Sequence, residues 1–391
     1  MIADHSGGDG FPAGVFVALL VAAVNLRLSI AVVGPLVEGI RSGLGMSSTA
    51  AGLLVAIPFF CMGAFAFLGP PLIARWGAQL VLALALALIG VATLTRAFAP
   101  SSTLLILATV PIGLGIALAG VAASVVIKQH FATRPGFLNG AWTAAMSLGV
   151  MVAGLGAVAL ADSLGGWRAV FALCAVPAFV ALPIWLIAEV GDHRRELMQP
   201  AKPSSRRPSS LAVLLGLVFG IQSFAFGAFI TWAPALLIEN GWSESHASLA
   251  ISSLGLLTIV SSLTIVRWSD RGGRRLWLIA MMAIVTAAMI GLTVYPGPAG
   301  FLWLLVFGIG SGATMPLCLT IPFDLRDSPS QVGDLTSWML GLGYMLAATA
   351  PAMVGGVRDL TGGFTLAFGV ASALCLLNVV LITRIPKNKL S

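Results

Sequence analysis

The residue best placed to do chemistry is an arginine without an acid. Arg27 stands about 15 residues into the first long apolar run, roughly 22 Å along a helix at 1.5 Å per residue. An arginine at a helix centre in a bilayer costs about 2.5–3.5 kcal/mol on the mildest scale, and it does not shed its charge. All fourteen Asp and Glu residues fall in polar breaks or at the ends of apolar runs, as do His5, His130, His193 and His246. Arg27 is therefore expected to be the single charged side chain of the interior, with no acid at its depth. Helix C-termini, carbonyls, cavity water or an anionic substrate must neutralise it. The guanidinium fork suits a small anion such as a carboxylate. The competing reading is structural, with Arg27 bonded to carbonyls around Pro- and Gly-broken helices. Intramembrane ionisable residues are functional by default, so Arg27 is read as a substrate anchor.

Other candidates for the same cavity are less distinctive. Gln222 is an amide in the middle of the seventh run, where an unpaired amide facing lipid is costly. Phe226 follows one turn on. Trp142 comes early in the fifth run, and Tyr344 lies mid-way through the eleventh beside Gly343. Asn25 neighbours Arg27 but points off its face, which also suits a helix–helix contact. This apolar and aromatic set fits a small, weakly hydrated anion or a compact heteroaromatic. Cys61, Cys174, Cys318 and Cys375 each sit inside an apolar run and read as packing residues. No convergent nucleophile, acid or metal-ligand set is evident. No catalytic residue, metal or cofactor is expected, and a membrane-embedded enzyme is the remote alternative.

The elements that position these residues are membrane helices. Of 391 residues 58% are hydrophobic and 9% charged, where a soluble domain carries roughly a quarter charged. Twelve apolar runs can be placed, at 12–37, 49–74, 77–97, 102–128, 136–161, 167–188, 211–238, 246–267, 275–295, 299–323, 332–356 and 364–384. The longest polar break, Glu189 to Ser210, is rich in Pro, Ser and Arg and reads as a linker. The expected division is a six-helix bundle over 1–188, a cytoplasmic linker over 189–210 and a second six-helix bundle over 211–391. Sixteen of the 21 Lys and Arg fall on the side of the N-terminus and four, Arg41, Arg96, Arg168 and Arg358, on the other. That asymmetry predicts cytoplasmic termini. The net charge of +7 then marks cytoplasmic loops, so no nucleic-acid partner is implied. Met1 to Phe11 carries Asp4 and Asp9 and no Lys or Arg, which predicts a permanent first helix over a cleaved signal.

The two halves echo each other. Ala74-Arg75-Trp76-Gly77-Ala78-Gln79 and Asp270-Arg271-Gly272-Gly273-Arg274-Arg275 occupy equivalent turns. Paired repeats with a midplane site between them are a common transporter plan.

Asp270 to Arg275 resembles the D-R-x-G-R-R loop of the major facilitator superfamily. In the first-half copy Ala74 replaces the Asp, and Ala78 and Gln79 replace the basic pair. The resemblance therefore implies a conformational latch of Asp270, Arg271, Arg274 and Arg275 in the second half only. Further stretches resemble the cyanate porter branch, which includes a 2-nitroimidazole exporter. They are Asn25-Leu26-Arg27, Gly34-Pro35, Ile57-Pro58, Val126-Ile127-Lys128, Asn139-Gly140-Ala141-Trp142, Trp232-Ala233-Pro234, Met315-Pro316-Leu317-Cys318, and Gly341 to Tyr344 with Pro351.

The resemblance implies an all-α polytopic membrane protein, with twelve transmembrane helices in two pseudo-symmetric six-helix bundles. It further implies a monomeric secondary transporter in a bacterial inner membrane, moving a small anion or small polar molecule. Exporters of nitroimidazole-like drugs and nitrate/nitrite-type porters are the alternatives. The latter family has an arginine in each half, and the second half here offers none in mid-membrane.

Overall fold

The computed structural model describes residues 13–46, 48–131, 133–190, 208–269 and 273–386. Met1 to Phe11, most of the linker, and Asp270 and Arg271 lie outside the described residues. Every apolar run is helical, and the described residues contain no strand. The first run forms α1 (Ala13–Ala31) and α2 (Val33–Leu44), and the second forms α3 (Ser48–Ala66) and α4 (Gly69–Trp76). Then come α5 (Ala78–Ala97), α6 (Ser102–His130), α7 (Pro135–Leu164) and α8 (Trp167–Val190). The second half holds α9 (Ser210–Glu239), α10 (Glu244–Ser269), α11 (Arg274–Val294) and α12 (Gly300–Leu325). Its eleventh run forms α13 (Pro329–Ala347) and α14 (Ala350–Thr361), and α15 (Thr365–Ile382) is last.

Three runs break, each just ahead of a proline in the first turn of the next helix. Pro35 follows the break at Val32, Pro70 and Pro71 follow Leu68, and Pro351 follows Thr349. Proline lacks an N–H and crowds the preceding turn, so it is best tolerated where a helix begins. The α3–α4 break bends the run by 59°. Ten described spans are long and apolar enough to cross a membrane, or eleven with this bent pair. The remaining run is α10, 26 residues long with a shorter apolar part over Ser253–Ser269. Serine hydroxyls cap helices among the described residues, Ser243 before α10 accepting from the His246 N–H at 3.3 Å. Ser101, Ser209 and Ser328 accept from the N–H groups of Leu104, Ala212 and Gln331.

The helix pairing has an internal symmetry. Within the first half α1 packs on α7, α3 on α6, and α5 on α6 and α8. Advancing each run by six gives α9 on α13, α10 on α12, and α11 on α12 and α15, all of which also pack. Between the halves α7 meets α10 and α13 meets α3, and the same shift exchanges these two pairs. Close approach at the α7–α10 contact depends on Gly140, where a Cβ would lie 2.4 Å from the Ser262 carbonyl oxygen.

The halves converge at the end that carries most of the Lys and Arg. There Lys128 Nζ donates to the Phe323 carbonyl at 3.3 Å and Asn139 Nδ2 to Thr320 Oγ1 at 3.3 Å. Ser337 Oγ donates to the Ala66 carbonyl at 2.8 Å. At the other end the helices pack within their own half, α2 on α1, α3, α7 and α8, and α14 on α9 and α15. The two bundles are thus joined at one end and parted at the other.

Candidate substrate site

Arg27 sits on the part of α1 that faces the other half. It is half-buried, with its guanidinium carbon 5.9 Å from the centre of the Phe59 ring on α3. Its charge interacts with Tyr344 on α13, so the arginine of one half and the phenol of the other share one electrostatic environment. Among the described residues no carboxylate pairs with Arg27, while Arg274 pairs with Asp324 and Arg358 with Glu239.

A cavity opens between the halves beside this pair. Its walls include Leu26, Met62, Ser124, Asn139, Trp142, Met146, Met315 and Tyr344. The cavity is small, about 30 Å³, room for roughly two waters. Tyr344 is buried and meets Phe219 edge-on, the ring centres 5.2 Å apart. Trp142 is buried as well.

The cavity therefore unites two of the expected residues, Trp142 and Tyr344; Arg27 does not line it, but follows the wall residue Leu26 on α1 and acts by charge on Tyr344. Gln222 and Phe226 do not line it. They follow Phe219 on α9 at intervals of three and four residues, extending the stripe that begins against Tyr344. Gln222 is buried and its amide oxygen accepts from Ser223 Oγ at 3.3 Å. Phe226 is half-buried and stacks toward Phe307, the ring centres 6.5 Å apart. Asn25 is turned into its own helix, with Nδ2 donating to the Val21 carbonyl at 2.9 Å.

The loop at the start of α11 is described only from Gly273. Arg274 forms an ion pair with Asp324 at the end of α12, and Arg275 donates to the Thr383 carbonyl beyond α15. Both partners belong to the second half. Gly273 has φ of +74°, a left-handed conformation that glycine adopts without strain.

Two features escaped the sequence. Met62, Met146 and Met315 line the cavity, yet methionine in an apolar helix carries no signal of facing a cavity. Arg96, counted above among the external charges, is completely buried. Its position near the end of a run suggested a loop residue, but α5 continues through it and turns the side chain inward. The interior thus holds two arginines where one was expected. All four cysteines are free and buried, as packing residues should be. Among the described residues no group of three His, Cys, Asp or Glu could hold a metal.

Two repeated helical bundles joined at one end, with a cavity between them that takes walls from both, define a membrane transporter. The sequence agrees with that reading. The chain matches the model of the Major Facilitator Superfamily over residues 19–348 and again over 215–390, and it belongs to that family. It is 29% identical to the cyanate transport protein CynX of Escherichia coli (strain K12), covering 94% of this chain and 96% of the relative. It is 30% identical to the 2-nitroimidazole transporter of the same strain, covering 93% and 92%. Among solved structures it resembles the proton:xylose symporter XylE, with TM-score 0.81, 14% identity and 96% of both chains covered. It also resembles the transporter FucP in an outward conformation, with TM-score 0.74, 13% identity and 95% and 99% covered. The protein is a multi-pass secondary transporter with the major facilitator fold.

Proposed function

We propose that this transporter carries a small anion by alternating access, with Arg27 as the anchor. The observation that carries the reading is the position of Arg27 between the two halves, beside Phe59 and within electrostatic reach of Tyr344, with no carboxylate partner among the described residues. A permanent cation so placed is best completed by the substrate's own charge. A cavity of about 30 Å³ suits an ion of a few atoms, such as cyanate or a short carboxylate. The substrates for which relatives are named agree in kind: cyanate, gentisate and tartrate. Export of a compact heteroaromatic such as a 2-nitroimidazole is the second reading, favoured by the Trp142, Tyr344 and methionine walls.

The charge asymmetry of the loops supports cytoplasmic termini in a bacterial inner membrane. With that orientation the joined end is cytoplasmic and the parted end faces outward. The two bundles on either side of the 189–210 linker then rock as units, with Asp270, Arg271, Arg274 and Arg275 as a conformational latch in the second half. Within this reading the carrier works as a monomer. Gln222 and Phe226 border the path toward the open side.

The test is uptake into proteoliposomes of cyanate, nitrate, small carboxylates and 2-nitroimidazole, with and without a pH gradient. The native chain should accumulate at least one anion of the panel. Arg27→Gln should abolish that uptake at equal protein levels, and Arg27→Lys should retain part of it. Full uptake by both variants would remove Arg27 from substrate binding.

A further inference from the structure

Arg96 presents a problem that the transport site does not explain. It is completely buried, its Nε and Nη2 have no hydrogen-bond partner, and its guanidinium carbon lies 4.5 Å from the centre of the Phe171 ring on α8. A buried cation with unfilled donors is costly, and a neutral side chain of similar size would avoid that cost. Its one hydrogen bond shows what the charge is used for. Nη1 donates to the Ser29 carbonyl at 2.9 Å.

Ser29 lies at the end of α1, just before the break at Val32. Carbonyls at a helix C-terminus carry the negative end of the dipole and favour a cation. At this elbow the Val32 N–H reaches the Leu28 carbonyl at 3.2 Å, while the Ser29 carbonyl takes the guanidinium. The Phe171 ring belongs to the apolar cluster that also holds Val32, Val33 and Leu36 of the elbow. Arg96 therefore ties the end of α1 to α5 and α8.

The same bond ends a polar ladder along one face of α1. Asn25 Nδ2 donates to the Val21 carbonyl at 2.9 Å, Ser29 Oγ to the Asn25 carbonyl at 3.1 Å, and Arg96 to the Ser29 carbonyl. Ser29 is two residues beyond Arg27, about 200° around the helix and about 3 Å along it. The two guanidiniums flank α1 at nearly one depth, Arg27 toward the other half and Arg96 behind.

We infer that Arg96 is a positioning residue: from behind α1 it holds the α1–α2 elbow, and so fixes the rotation of α1 that presents Arg27 to the substrate. This rests on Arg27 being the anchor, and Arg96 itself touches no substrate. Asn25 gains a role in the same ladder, on the rear face of α1.

The experiment uses the full chain in lipid nanodiscs, native and as Arg96→Gln, Arg96→Lys and Phe171→Leu. The reactivity of Arg27 toward phenylglyoxal is read by peptide mass spectrometry, with hydrogen exchange over residues 26–36 and the melting temperature alongside. Arg96→Gln should change the Arg27 modification rate and speed exchange at the elbow by about tenfold, with the melting temperature near native. Arg96→Lys should restore most of both, and Phe171→Leu should fall between. In proteoliposomes Arg96→Gln should raise the KM for cyanate by about tenfold with the maximal rate little changed. Native-like Arg27 reactivity and elbow exchange in Arg96→Gln would overturn the proposal. If that variant does not fold, native-like values in Phe171→Leu overturn it instead. If the native chain takes up no cyanate while Arg27 and the elbow still respond, the role of Arg96 stands and the cyanate reading falls.

Discussion

Adding one methyl group at Gly140 should pry apart the joined end of the molecule. In Gly140→Ala the new Cβ would lie 2.4 Å from the Ser262 carbonyl oxygen, about 1 Å inside ordinary van der Waals contact. The obstacle is backbone, so no side-chain rotation can relieve it, and α7 and α10 must separate. Alanine also stabilises a helix interior by roughly 0.5–1 kcal/mol relative to glycine, but α7 is helical whether or not the halves meet, so that gain cancels between the two states. Overpacking a close contact costs about 1–3 kcal/mol. That cost falls on the joined state alone, a shift of roughly 5- to 160-fold in its population. Because the α7–α10 contact joins the two halves, the penalty falls on the joined state rather than on either bundle. Spin labels at Arg134 and Asp327, exposed in the loops after α6 and α12, report the separation by pulsed electron resonance. The distance distribution should gain or enlarge a longer component. Gly154→Ala, where a Cβ meets nothing within 4 Å, is the control and should leave the distribution unchanged. Identical distributions for both variants and the native chain would refute the packing argument.

Other consequences can be measured in the same preparations. Lys128→Met removes the donor to the Phe323 carbonyl and should favour the longer distance too, by roughly 0.5–1.5 kcal/mol. Tyr344→Phe keeps the ring packing on Phe219 and should leave the melting temperature intact. If the hydroxyl meets the anion, KM should rise about 3- to 10-fold. Asp324→Asn breaks the pair with Arg274, whose side chains are 11% and 15% exposed. It should lower thermal stability by roughly 1–3 kcal/mol, less than a fully buried pair would lose. The double variant with Arg274→Gln should recover part of that loss.

Much of this architecture was legible in the sequence. Twelve runs mapped onto helices because the hydrocarbon requirement leaves few alternatives for the backbone. The prolines at 35, 70, 71 and 351 were visible, but which of the many intramembrane prolines break a run was not. Pro58, Pro111, Pro234 and Pro316 stay inside continuous helices, and the choice depends on how neighbours satisfy the freed carbonyls. At the site, Arg27 stood out because a lone charge in hydrocarbon is costly enough to be read from one position. Trp142 and Tyr344 were weaker signals, yet the cavity brings them together. Met62 and Met315 were invisible as lining residues, since rotation about the helix axis is set by tertiary packing. Arg96 was misplaced for a related reason. A charge near a helix end normally reaches the interface, and only the approach of α1 and α8 shows that this one turns inward.

The elements beyond two of the breaks, α2 and α14, are both 12 residues long, about 18 Å each. One belongs to each half, and both stand at the parted end. Each begins just ahead of a proline in its first turn and packs on helices of its own bundle through the contacts described above. A tilt of either segment would leave intact the α7–α10 and α3–α13 contacts that hold the bundles together. Were the bundles to rock as proposed, covering a bound solute would be separable from that motion: the first would re-aim two short segments, and the second would have to break an interface.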